Sequence, residues 1–125
     1  MLIVGGGPAG ASLAVALGRR GFEVELYEQA TFPREKACGE GLLPAGVDVL
    51  RSLELADAVG GRPLTGVRYH LTGGSVRSGF GAGERELHGI GQKRLRLDAA
   101  LWAAAAHSPG VRAAAGTRVD ALLHE

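Results

Sequence analysis

Three glycines and one carboxylate near the start of the chain have the spacing needed to bind a phosphorylated ligand. The glycines stand at positions 5, 7 and 10 as G-x-G-x-x-G, directly after a short apolar run, and Glu28 closes a second apolar run. Gly5 permits a tight turn, Gly7 lets backbone N–H groups approach phosphate oxygens, and Gly10 lets a helix pack closely. Seventeen residues (28 − 10 − 1) separate Gly10 from Glu28, close to the spacing of about 20 for a carboxylate that binds ribose hydroxyls.

A strand, a turn, a helix and a second strand are needed to position these residues. The apolar residues before Gly5 predict the first strand, and a helix follows from about Pro8 to Arg20, ended by Gly21. The second strand runs from Phe22 to Glu28, with Phe22, Val24 and Leu26 facing the core. The positive end of the helix dipole then points at the bound anion. The sequence therefore predicts a dinucleotide site that is formed by Gly5, Gly7, Pro8, Ala9, Gly10 and Glu28. A carboxylate at position 28 favours FAD or NAD over NADP, because it repels a 2′-phosphate.

The rest of the chain predicts an α/β fold in which this unit is interrupted. The predicted elements are a long loop over 31–44, a helix from Ala45 to about Val59, hairpin strands at Val67–Leu71 and Ser75–Phe80, a helix from about Arg96 to His107, and strands at Val111–Ala115 and Thr117–Leu123. Asp98 falls in the first turn of the last helix, and Trp102 is its largest apolar residue. We therefore expect a Rossmann-like FAD/NAD(P)-binding fold with an inserted antiparallel hairpin. We expect it to be truncated, because so few strands leave sheet edges open.

Composition limits the classes of protein to which the chain can belong. Its 125 residues are enough for one domain, and a net charge of +1 gives no reason to expect nucleic acid as a partner. Cys38 is the single cysteine, so no internal disulfide can form, and a cytoplasmic setting is the default. No secretory leader or transmembrane segment is predicted, and peripheral membrane contact stays open. Four histidines, at positions 70, 88, 107 and 124, lack metal-ligand spacing, so no metal site is predicted.

Three segments of the chain carry a resemblance to known proteins: Gly5–Gly10 through Glu28, Pro33–Pro44 and Arg94–Asp98. They resemble the FAD-dependent oxidoreductases of the aromatic-hydroxylase superfamily. The likeness is closest to the group of geranylgeranyl reductases and related flavoprotein monooxygenases and halogenases. The resemblance implies that residues 1–125 are the amino-terminal, incomplete part of an FAD-binding domain. It also implies that Arg34 lies beside the FAD ribose or pyrophosphate, that Arg94 lies near the pyrophosphate, and that Cys38 and Gly39 approach the flavin ring.

The activity that the resemblance implies is flavin-dependent oxidation or reduction. NADH, NADPH or another donor would reduce the flavin, and the substrate would be a small apolar or aromatic molecule that is either reduced at an alkene or hydroxylated. No catalytic residue is assigned, and Cys38 is expected to pack near the flavin without forming a covalent bond to substrate. Two alternatives stay open, an NAD-dependent Rossmann dehydrogenase and a non-catalytic dinucleotide-binding remnant. The long loop and hairpin after Glu28 favour the flavoprotein, because a simple NAD domain continues with another short β-α unit.

Overall fold

The computed structural model describes residues 1–38, 40–81 and 87–123, which divide into two units. The first unit consists of Met1–Cys38 and Lys93–Glu125, and the second, Gly39–Gln92, is inserted between them. In chain order the elements are β1 (Leu2–Val4), α1 (Pro8–Gly18), β2 (Val24–Glu28), β3 (Gly41–Leu42), α2 (Pro44–Ser52), α3 (Ala56–Val59), β4 (Arg62–Leu64), β5 (Gly66–Leu71), β6 (Gly74–Gly79), β7 (Gly89–Gly91), α4 (Arg94–Ala106) and β8 (Val111–Ala115).

A parallel sheet forms the centre of the first unit. Its strand order is β1-β2-β8, with Ile3 opposite Leu26 and Leu26 opposite Ala113. Helices α1 and α4 pack against each other, and Val15 of α1, Leu26 of β2 and Leu101 of α4 are almost fully buried. Because the strands are parallel, their carboxyl ends meet at one edge, where ligands bind in open α/β sheets. The predicted strand–helix–strand unit and the strand Val111–Ala115 are confirmed.

Three boundaries in the first unit differ from the sequence prediction. Helix α1 ends at Gly18, and the chain then turns through Gly21, whose φ of +83° stops the helix. Strand β2 begins at Val24, so Phe22 lies outside the sheet and is 47% exposed instead of buried. Helix α4 begins at Arg94, two residues early, so Asp98 is its fifth residue and does not lie in the first turn. This shift matters, because it gives Arg94 and Asp98 the i, i+4 spacing that lets side chains meet on a helix.

The predicted strand over 117–123 is wrong. None of the described residues in this segment belongs to a strand, and Leu122 and Leu123 are 65% and 94% exposed. Alternating apolar residues favour a strand only where a neighbouring strand supplies hydrogen bonds. In the sheet that the structure describes, β8 pairs with β2 alone.

The second unit is antiparallel and helical. Short strands form a sheet of order β3-β7-β4, and the predicted hairpin is confirmed as β5 and β6, with Tyr69 opposite Val76. The single helix predicted over 45–59 is two helices, because the chain turns at Glu54, which has a φ of +53°. Val47, Leu50 and Leu55 are buried, whereas Leu53, which shares their apolar spacing, is half-buried. The β3-β7-β4 sheet was not predicted, since strands of two or three residues carry no periodic signal.

Candidate dinucleotide-binding site

The glycine turn after β1 has the geometry that its sequence predicted. Gly5 has a φ of +104°, which side chains rarely adopt, and its N–H donates to the Tyr27 carbonyl at 2.7 Å. Gly7 is the N-cap residue of α1, and Pro8 occupies the first turn, where the missing N–H costs no hydrogen bond. A side chain on Gly10 would collide with the Gly5 carbonyl oxygen, so only glycine lets the helix start this close to the turn.

The first turn of α1 offers backbone donors to an anion. Gly7 supplies no side-chain cap, and no acidic residue lies in the first turn of the helix. The N–H groups of Ala9 and Gly10 therefore begin a helix of 11 residues without a competing carboxylate. Such unpaired N–H groups, together with the helix dipole, form an anion site.

Glu28 lies at the carboxyl end of β2, 7% exposed and facing the glycine turn. Its Oε2 accepts a hydrogen bond from the Gly6 N–H at 2.8 Å, and its Oε1 accepts one from the Ala30 N–H at 3.0 Å. Burial acts to raise the pKa of Glu28, but these hydrogen bonds and the charges of Arg34 and Lys36 outweigh it and hold the pKa below its ordinary value. Glu28 is therefore an ionised acceptor, and a carboxylate has lone pairs left for ribose hydroxyls. The sequence reasoning did not identify Gly6 and Ala30 as its supports.

Two arginines from distant segments converge beside Gly7. Arg94 Nε and Nη2 donate to Asp98 Oδ1 and Oδ2 at 2.6 and 2.7 Å, and Arg34 Nη2 lies 3.1 Å from Asp98 Oδ2. Arg34 Nη2 also lies 3.7 Å from Glu28 Oε2. A Cβ built on Gly7 would be 3.6 Å from Arg34 Nη2 and 3.9 Å from Arg94 Nη2. All three segments that the sequence singled out thus meet at one place.

Aromatic rings support the Arg34 side chain. Its Cζ lies 5.4 Å from the centre of the Phe32 ring, and Phe32 stacks on Trp102 with ring centres 4.7 Å apart. Arg34 Nε is buried and has no hydrogen-bond partner among the described residues. Trp102 was singled out only as the largest apolar residue of its helix, and it is half-buried beside the turn, where a side chain on Gly6 would collide with it. Its spacing of four residues from Asp98 was the signal that could have found this role.

Cys38 lies beside the same arginine. Its side chain is exposed and hydrogen-bonds with Arg94. The hydrogen bond to Asp98 is the larger cause that raises the pKa of Arg94 above its ordinary value, and the bond to Cys38 acts in the same direction. The predicted Gly39 lies outside the described residues.

A cavity of about 640 Å³ opens at the carboxyl ends of β1 and β2. Its lining includes Gly5, Tyr27, Glu28, Arg34, Thr117 and Arg118. This volume lies in the range of small-molecule and cofactor sites, roughly 300 to 1,000 Å³. The segment that was wrongly predicted as a strand thus contributes cavity wall, a role that its sequence did not indicate.

These residues fit the adenosine and pyrophosphate parts of FAD. Backbone donors and two guanidinium groups suit an anion, the ionised Glu28 suits a ribose, and the cavity beside it has room for an adenosine.

Across 1–38, 40–81 and 87–123, no group of three or more His, Cys, Asp or Glu residues is arranged to hold a metal ion. None of the helices described there is long and apolar enough to cross a membrane.

A parallel sheet with a glycine turn, a helix and a carboxylate at the end of the second strand is the arrangement of dinucleotide-binding proteins. The chain belongs to the FAD binding domain family, which matches it over residues 1–125. Its family membership thus makes it an FAD-binding domain.

Individual proteins of this kind resemble the chain over most of its length. Menaquinone reductase of Mycobacterium tuberculosis (strain ATCC 25618 / H37Rv) is 34% identical over 129 residues, which cover 100% of this chain and 31% of that protein. Among solved structures, a flavoprotein/dehydrogenase from Cytophaga hutchinsonii matches with a TM-score of 0.85 and 27% identity over 99% of this chain and 32% of its own. PqsL, a probable FAD-dependent monooxygenase from Pseudomonas aeruginosa, matches with a TM-score of 0.80 and 26% identity over 99% of this chain and 34% of its own. A further PqsL structure is a complex with 2-aminobenzoylacetate.

The chain spans about a third of the length of these proteins. None of the three is named as a geranylgeranyl reductase, so the comparisons support the resemblance at the coarser level of FAD-dependent enzymes.

Proposed function

We propose that this chain binds the adenosine and pyrophosphate parts of FAD in a flavin-dependent oxidoreductase, with residues 1–125 as the FAD-binding domain. In this proposal the glycine turn and Arg34 and Arg94 hold the pyrophosphate, and Glu28 holds the ribose. We further propose that Cys38 and Gly39 contact the flavin, although Gly39 lies outside the residues that the structure describes. The proposed cofactor-binding residues are Gly5, Gly7, Pro8, Ala9, Gly10, Glu28, Arg34, Cys38, Gly39 and Arg94.

The convergence of Arg34 and Arg94 beside Gly7 is the observation that carries this proposal. The two residues are 60 positions apart (94 − 34), yet both guanidinium groups lie within 4 Å of one Cβ position on Gly7. A planar guanidinium can bind phosphate oxygens with two parallel hydrogen bonds. The buried, unpartnered Nε of Arg34 is a further donor at this place.

The protein supplies binding and orientation, and FAD, when bound, supplies the redox chemistry. We propose a reduced nicotinamide, NADH or NADPH, as the electron donor and a small apolar or aromatic molecule as the substrate. Likeness to a menaquinone reductase supports reduction of the substrate, and likeness to a probable monooxygenase supports hydroxylation. The proposed location is the cytoplasm, with peripheral membrane contact open.

An NAD-dependent dehydrogenase is the second candidate, because the turn and Glu28 suit the adenosine diphosphate part of NAD equally well. An absorption spectrum of the purified protein separates the two. The flavoprotein shows flavin bands that bleach with NADH or NADPH. A colourless protein that binds NAD would contradict the first proposal and support the second.

The first prediction concerns Glu28→Ala, which removes the proposed ribose acceptor. Each lost charge-assisted hydrogen bond costs about 1.5 to 3 kcal/mol, so FAD affinity should fall roughly 10- to 100-fold. Glu25→Ala is the matched control, because Glu25 lies on the same strand and is not part of the cavity lining. Fluorescence titration of the apoprotein with FAD measures both variants. Equal affinity of Glu28→Ala and the wild type would remove Glu28 from the site.

A further inference from the structure

The carboxylate of Asp98 is enclosed by the two arginines of the site. Asp98 has no exposed surface, although it belongs to a helix whose neighbouring Arg96 is exposed. Its two oxygens receive three contacts from Arg34 and Arg94, at 2.6, 2.7 and 3.1 Å. A carboxylate this deeply buried is retained only with such partners, because an unpaired buried charge is costly.

The contacts fix Arg94 more firmly than Arg34. Two parallel hydrogen bonds to Asp98 set both the position and the plane of the Arg94 guanidinium. Arg34 has a single close contact with Asp98 and a longer one, 3.7 Å, with Glu28. Both long side chains would otherwise lose considerable rotamer freedom when they bind an anion, and a preformed position reduces that cost.

Two effects of the Asp98 charge on a bound pyrophosphate oppose each other. Its negative charge repels the anion, so removal of the charge should tighten binding if simple electrostatics dominates. Its hydrogen bonds hold the guanidinium groups beside Gly7, so removal should weaken binding if positioning dominates. We expect the positioning effect to be the stronger, because Asp98 contacts both guanidinium groups and both of them also lie within 4 Å of the Cβ position of Gly7.

We propose that Asp98 is a positioning residue for pyrophosphate binding, which orients Arg34 and Arg94 beside the glycine turn. The inference rests on the proposed function, in which this turn binds the pyrophosphate of FAD. It assigns to Asp98 no contact with the ligand. Binding of the diphosphate therefore depends on Asp98, whereas binding of the adenosine does not.

Binding of ADP and adenosine to the intact apoprotein tests this role, because only ADP carries the diphosphate. Asp98→Asn, which preserves the shape of the side chain, should weaken ADP and FAD binding at least about tenfold and leave adenosine binding unchanged. Arg112→Lys is the control, since Arg112 forms a similar pair with Glu25 at 2.7 Å on the exposed surface. Calorimetric titration gives the affinities, and chemical denaturation gives the stability of each variant.

A second variant covers the case in which Asp98→Asn does not fold. Arg94→Lys keeps the charge and loses the two parallel bonds to Asp98, so it should weaken ADP binding by a similar factor with adenosine unchanged. Unchanged or tighter ADP binding in either folded variant would overturn the positioning role. If the wild type binds neither FAD nor ADP, the proposed function itself fails. If the wild type binds both and the variants bind them equally well, only the role of Asp98 fails.

Discussion

Two arginine–carboxylate pairs in the first unit have nearly the same bond length and opposite surroundings. Arg94 and Asp98 meet at 2.6 Å, with side chains 13% and 0% exposed. Arg112 and Glu25 meet at 2.7 Å across β8 and β2, with side chains 75% and 42% exposed. Water screens the charges of the exposed pair and competes for its hydrogen bonds. In the buried pair, the carboxylate of Asp98 has little contact with water and depends on its arginine partners. Bond length alone therefore says little about the importance of either pair, and burial decides it.

Two glycines of the turn differ in how much space surrounds them. The Cβ position of Gly10 is occupied by the backbone of Gly5, whereas that of Gly7 has only ordinary contacts with the two arginines. We therefore expect Gly10 to be required by the fold and Gly7 to be required by the ligand.

The largest effect is expected for Gly10→Ala. The added methyl group meets a backbone carbonyl that cannot move without shifting β1, so the free energy of unfolding should fall by about 4 kcal/mol or more. Gly7→Ala is the matched control, with near wild-type stability and a large loss of FAD affinity, because its methyl group occupies the approach of the phosphate. Urea denaturation and FAD titration check both. A stable Gly10→Ala variant would contradict the close helix–turn packing.

Removal of Arg94 and of Arg112 tests the two ion pairs directly. Arg94→Ala leaves Asp98 buried with Arg34 as its remaining close partner, so the free energy of unfolding should fall by roughly 3 kcal/mol. Arg112→Ala should leave stability within the error of the measurement, because the pair with Glu25 is exposed. Thermal and urea melts of both variants provide the comparison. If the two variants lost similar amounts of stability, burial would not account for a difference between the two ion pairs.

The two carboxylates of β2, the buried Glu28 and the more exposed Glu25, differ in the same way and can be compared at low pH and at high salt. The pKa values of Glu28 and Glu25 are both lowered from 4.5 in the folded protein, Glu28 despite its burial and Glu25 chiefly through the Tyr27 hydroxyl. Each ionised group therefore stabilises the fold above pH 4.5, and this stabilisation is lost as the pH falls below 4.5. Glu28→Gln and Glu25→Gln should each flatten the acid side of the stability profile. In about 1 M salt, the difference in stability between the wild type and Glu25→Gln should shrink, whereas the difference between the wild type and Glu28→Gln should stay nearly unchanged. A Glu28 contribution as salt-sensitive as that of Glu25 would argue against its enclosure.

The smallest effect is expected for Cys38→Ser. The side chain is exposed and a serine hydroxyl can replace the thiol in the hydrogen bond to Arg94, so FAD should stay bound and reducible. Titration with FAD, followed by reduction with NADH or NADPH, measures the result. A normal flavin spectrum with complete loss of turnover would assign the thiol a chemical role.

The sequence by itself determined the strand, glycine turn, helix and second strand that end at Glu28. Every signal in that unit is local, since each glycine acts on its immediate neighbours and the strand and helix periods are read within a few residues. Prediction was equally sound for the β5–β6 hairpin, whose strands flank a Thr72-Gly73 turn, one residue shorter than the predicted Thr-Gly-Gly. Family resemblance, and not spacing, singled out Arg34 and Arg94.

Only the tertiary structure decided how those pieces meet. Segments 60 positions apart bring Arg34 and Arg94 onto one buried carboxylate, and an early start of α4 by two residues places Asp98 to receive both. The stacking of Phe32 on Trp102, the exposure of Phe22 and the cavity wall at 117–119 are equally invisible in local patterns. The physical reason is that short-range preferences fix backbone conformation over a few residues, whereas burial and ion pairing depend on which surfaces the folded chain brings together.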